Sequence, residues 1–185
     1  MRILSALIVT AAITMATACS VNVKKDGGGE DKNVDINTPL GGIHVNTNAD
    51  PRDTGLSVYA GARPRKKEDS GDEKSANVNI SSSWGGVRVV AVEYESDAPP
   101  SKIIAYYKNE LKKYGNVLEC RTSSDFHGPE GDSDELKCEG NNNGDRVELK
   151  VGSKSNQHVV SVKPQGRGSD FALVYVRTSG KDTTI

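Results

Sequence analysis

Apolar and polar positions alternate in short runs along most of this chain, broken by a longer apolar run at the start and a helical stripe near the middle. The first run is Ile3 to Met15. Arg2 precedes it as the only charge among the first eighteen residues, and Ala16-Thr17-Ala18-Cys19 follows. A positive start, a short apolar stretch and small residues before a cleavage point predict a secretory signal peptide over residues 1–18. The run falls short of the ~20 apolar residues that span a bilayer, and Thr10, Thr14 and Thr17 dilute it. Residues 19–32 are polar and rich in Gly and charge, a composition that predicts a flexible tether.

Two later segments echo each other at an offset of 44: NVDINTPLGGIHV (33–45) and NVNISSSWGGVRV (77–89). Each reads as a β-hairpin, with alternating apolar residues approaching a Gly-Gly pair that supplies the positive φ of a tight turn. Pairing across the turn places Val34, Ile36, Leu40, Ile43 and Val45 on one face, with Asp35, Asn37, His44 and Asn46 on the other. The second copy runs on into Val89-Val90-Ala91-Val92, apolar on both faces, which predicts a central strand. Between the hairpins, LSVYAGARP (56–64) precedes RKKEDSGDEKS, a charged run of both signs that reads as a solvated loop.

Ile103, Ile104, Tyr107, Leu111 and Tyr114 fall on one stripe of a 3.6-residue period, which predicts a helix over 98–114. Asp97 is placed to cap it, Pro99 and Pro100 suit only a first turn, Gly115 suits its end, and Lys108, Lys112 and Lys113 favour the C-terminal end of its dipole. Beyond it, apolar residues alternate in Val117–Thr122, Glu135–Glu139, Arg146–Val151, His158–Val162 and Phe171–Arg177, a meander of antiparallel strands. The expectation is one α+β domain over 33–178, an antiparallel sheet of hairpins and a C-terminal meander packed on helix 98–114, with a tail at 179–185. The alternative is a β-sandwich with the helix as a peripheral crossover.

Ala16-Thr17-Ala18-Cys19 resembles the lipobox of bacterial lipoproteins, in which the Cys becomes the new N-terminus and carries lipid. The same residues would also serve an ordinary signal peptidase, which would leave Cys19 a free thiol. Val58-Tyr59-Ala60-Gly61-Ala62-Arg63-Pro64, with Tyr94-Glu95-Ser96-Asp97 leading into Ile103, Tyr106-Tyr107, Leu111 and Gly115, is similar to a family of uncharacterised bacterial secreted proteins and lipoproteins. In that family a strand ending "YPGA" precedes an Asp-capped "FY..L" helix and a β-meander. The resemblance covers roughly residues 56–177 and implies a fold and a cell-envelope address, with no active-site residues to carry over.

Composition narrows the chemistry. With 24 Lys+Arg against 25 Asp+Glu, the net charge of −1 gives no basic excess for nucleic acid. Three cysteines are an odd number for an exported chain. Lipid on Cys19 would leave Cys120 and Cys138 to bridge in an oxidising compartment, and parity with Leu118 and Leu136 lets both face one interior. G-x-S-x-G, H-E-x-x-H, P-loop and C-x-x-C motifs do not occur, and His44, His127 and His158 have no metal-site spacing. His44 reads as a solvent-facing strand residue, and His158, at the start of a strand, reads the same way. Glu139-x-Asn141-x-Asn143-Gly144 imitates an EF-hand start, but Lys150 occupies the place of the bidentate Glu. Asp125, Glu130, Asp132, Asp134 and Glu135 form a looser acidic loop. No catalytic residue, metal site or cofactor is expected. The expected function is that of a lipid-anchored, non-catalytic binding or structural module of the bacterial envelope, facing the periplasm from the outer membrane. Its partners would be the membrane, through lipid on Cys19, and an envelope protein. A small-ligand or divalent-ion-binding lipoprotein is the alternative, and an unrecognised hydrolase the third.

Overall fold

A computed structural model describes residues 20–25, 32–66, 74–123, 134–138 and 143–180. The signal segment, Cys19, His127 and the acidic residues Asp125, Glu130 and Asp132 lie outside the described residues. Ten strands run β1 (Ser20–Lys25), β2 (Lys32–Thr38), β3 (Gly41–Asn46), β4 (Arg63–Pro64), β5 (Ser75–Ser82), β6 (Gly85–Ser96), β7 (Leu118–Thr122), β8 (Arg146–Ser153), β9 (Asn156–Gln165) and β10 (Gly168–Gly180). They form one sheet in the order β1-β2-β3-β5-β6-β10-β9-β8-β7, with β4 beside the far end of β6. Every pairing is antiparallel. This is the α+β arrangement expected, as one sheet rather than a sandwich. The helix α1 (Pro100–Leu111) continues as a 3-10 turn over Lys112–Tyr114.

The core lies between α1 and the C-terminal half of the sheet. Ile103, Tyr107 and Leu111 are fully buried against Leu149, Val151, Val160, Val162, Phe171 and Leu173. Each large apolar side chain so removed from water is worth about 1.5–3 kcal/mol. Val90, Val92 and Tyr94 of β6 join them, while Val87, Val89 and Ala91 point to the opposite face. Both faces of β6 thus carry apolar residues, as its central position requires.

Several local expectations are corrected. Ser20–Lys25 is an edge strand paired with β2, not part of a tether. The hairpin turns are Pro39-Leu40 and Ser83-Trp84, and the Gly-Gly pairs open the return strands instead. Thr38 Oγ1 donates to the Gly41 carbonyl and accepts from Leu40 N–H, and Ser82 Oγ does the same with Gly85 and Trp84. The echo in the sequence is therefore a repeated turn device. Gly41 and Gly85 have φ of +155° and +153°, and a Cβ on either would stand 2.1–2.2 Å from a carbonyl oxygen of the next strand. Only glycine fits there.

Asp97 does not cap the helix. Its carboxylate accepts both terminal nitrogens of Arg63, at 3.0 and 3.1 Å, and the N-cap is Pro99, which has no side-chain cap bond. Val58 and Tyr59 lie in no strand, because pairing with β6 begins only at Arg63. Residues 134–138 are also not a strand; they are held by Asp134 on the β8–β9 turn and by Cys138 on β7. The last strand runs two residues past the expected domain end.

Candidate functional site

The register sets three rows of residues at the end of the sheet where β1 begins. They run Thr38–Gly41–Ser82–Gly85–Gly180, then Ser20–Asn37–Gly42–Ser81–Gly86–Ser179, then Val21–Ile36–Ile43–Ile80–Val87–Thr178. Both hairpin turns sit here side by side, Ser83 N–H donating to the Leu40 carbonyl. Trp84 is 79 % exposed and Leu40 73 % exposed. No residue of these rows and turns is ionisable, in a chain where 26 % of residues are charged. The first ionisable groups come in the fourth row, with Asp35, His44, Arg88 and Arg177. An open groove of about 400 Å³ lies between β5, β6 and β10 here, bordered by Ser81, Ser83, Gly86, Arg88, Arg177 and Ser179. It can admit a small polar or anionic group.

His44 and Asp35 face each other across β2 and β3 and are hydrogen-bonded. Ser81, in the next row on that face, gives its hydroxyl to the Gly42 carbonyl at 3.5 Å and not to this imidazole. His158 departs from the solvent-facing strand residue expected. It is buried, stacked on Tyr114 at 3.8 Å between centroids and tilted against Tyr175 at 4.9 Å, and its Nδ1 donates to the Thr54 carbonyl at 2.9 Å. Burial pushes its pKa down, the Lys113 ammonium adds to that, and the Thr54 bond opposes them without prevailing. Tyr107 is pushed up by burial; its Oη donates to the Ser57 carbonyl and accepts from Tyr59 N–H. Burial would raise the Glu110 carboxyl, but Ser57 N–H and Lys113 outweigh it and hold it below its usual range.

On the face away from α1, Glu148 and Lys150 pair at 3.2 Å with side chains almost wholly buried. Asp170 is buried near Arg65 at 3.0 Å and Lys163 at 3.7 Å, although its Oδ2 has no aligned hydrogen bond. Lys150, which breaks the EF-hand pattern, thus serves the fold. Asp134, the described start of what remains of the acidic loop, accepts from Ser155 N–H, and that bond holds its carboxyl low. Among the described residues no group of three His, Cys, Asp or Glu could hold a metal ion. Cys120 and Cys138 form a disulfide with Cα atoms 5.3 Å apart.

The sheet end was missed by sequence reasoning. Its signal was present in the uncharged stretches 36–43 and 80–87, but only strand pairing brings them together. No protein-family model, no curated protein and no solved structure matches the chain, so its geometry carries the functional reading.

Proposed function

We propose that this chain is an exported lipoprotein, acylated at Cys19, whose α+β domain is a non-catalytic binding or structural module of the bacterial cell envelope. The observation that carries the reading is the bridge between Cys120 and Cys138. It uses two of three cysteines, suits an oxidising compartment, and leaves Cys19 as the one thiol for lipid. The apolar run and small residues before Cys19 support export, and the resemblance to secreted proteins and lipoproteins supports the envelope address. Both described histidines have Nδ1 in a local contact, His44 with the Asp35 carboxylate and His158 with the Thr54 carbonyl, and His158 is buried in the fold. Among the described residues no helix is long and apolar enough to cross a membrane. The outer membrane, facing the periplasm, is the address proposed.

The test is Cys19→Ala in the full chain. The variant should leave the membrane fraction for the soluble one once its signal is removed, as shown by intact mass. A processed variant that stays with membranes would overturn acylation as the means of attachment.

A further inference from the structure

The lipid of the proposed anchor would sit at the uncharged end of the sheet. Ser20 lies in the second row of that end, and Cys19 precedes it by one peptide unit, about 3.8 Å between Cα atoms. The first six residues after Cys19, read from composition as flexible tether, are a strand of the sheet itself. Acyl chains entering a bilayer at Cys19 would bring Leu40, Trp84 and the neighbouring turns to its surface. We propose that this end of the sheet docks on the lipid surface, with Trp84 and Leu40 in the interface and the strands standing upright on it; the inference rests on acylation at Cys19.

Three observations converge on this occupant. Trp84 and Leu40 are the most exposed large apolar side chains of the described residues, and both are at this end. The band Val21–Ile36–Ile43–Ile80–Val87 lies roughly 10 Å behind the turns at 3.3 Å per residue, which matches the depth an interfacial element reaches. Ionisable groups begin only in the fourth row, with Asp35, His44, Arg88 and Arg177; Arg88 pairs with Asp53 at 3.3 Å, and both arginines border the groove on the side away from the turns. Indole at the interface and arginine behind it is the distribution a bilayer favours. Lys181 and Asp182, next in sequence after Gly180, add no net charge.

Trp84 is the sole tryptophan, so its emission reads this end alone. The mature full-length protein is reconstituted into phosphatidylethanolamine–phosphatidylglycerol vesicles, with lipids brominated high or low on the acyl chain. N-terminal peptide mass reports acylation independently. The expected result is a blue-shifted emission quenched most by bromine near the headgroup, and loss of most of that shift in Leu40→Asp. An acylated protein whose Trp84 emits as in water, unquenched at any depth, overturns docking and leaves the lipoprotein reading standing. A chain without acyl groups refutes that reading, and an unshifted Trp84 on the same vesicles then refutes docking as well. A blue shift that grows with protein concentration in the absence of vesicles would assign this end to a second copy and equally overturn the proposal.

Discussion

The imidazole of His158 illustrates how far one side chain's surroundings can depart from its sequence neighbourhood. Tyr114 arrives from the end of the helix, Tyr175 from the next strand and Thr54 from a 3-10 turn more than a hundred residues earlier. These groups shield the ring, and Lys113 repels its cation, so the folded pKa lies below the ordinary 6.5. The unfolded chain therefore takes up a proton where the folded one does not. The ring's contribution is fully present above about pH 6.5 and is lost as pH falls from there toward the folded value. Urea midpoints of the native protein and His158→Gln should differ most at alkaline pH and converge as pH drops through that window. A difference independent of pH would refute the neutral, buried ring. Nothing adjacent to His158 in sequence foretells this, since its pattern is that of any strand residue.

At the scale of elements, the stripe Ile103, Tyr107 and Leu111 was legible because a 3.6-residue period exposes one face of a helix whatever it packs against. The polar end of that face was not legible. Tyr107 Oη holds the segment Leu56–Tyr59 across the helix, accepting one backbone N–H and donating to one carbonyl, contacts separated by about fifty residues. Tyr107→Phe keeps the ring and strands both backbone groups, so urea denaturation should show a loss of about 1–3 kcal/mol. Tyr114→Phe, at a more exposed phenol that touches Gly55, should cost less, and equal losses would count against burial as the cause. Asp97 shows the complementary error. Its position fits a cap, but Arg63 reaches it from β4 with a two-pronged guanidinium, and the carboxylate cannot serve both. Likewise Ser20–Lys25 looks too polar to fold, and becomes a strand because β2 offers it a free edge.

For the whole molecule, the disulfide joins the β7 edge of the sheet to a segment with no regular structure. Closing an 18-residue separation should stabilise by about 3 kcal/mol through the unfolded chain. Denaturing the non-reduced protein should release no thiol from Cys120 or Cys138, and prior reduction should lower the urea-derived stability by that amount; unchanged stability would refute the estimate. The pairing was legible from cysteine arithmetic, while the parity argument was only half right, since Cys120 is in a strand and Cys138 is not. By itself the sequence determined the class of fold, the presence of the two hairpins and the helix, because periodicity is a local property, while counting cysteines pointed to Cys120 and Cys138 only with Cys19 set aside for lipid. Only the tertiary structure decided that Pro39-Leu40 and Ser83-Trp84 lie at one end with Ser20, that the glycines are there to let strands approach, and that His158 is buried. Those facts depend on which strands pair and in what register, a choice made by contacts between residues far apart in the chain.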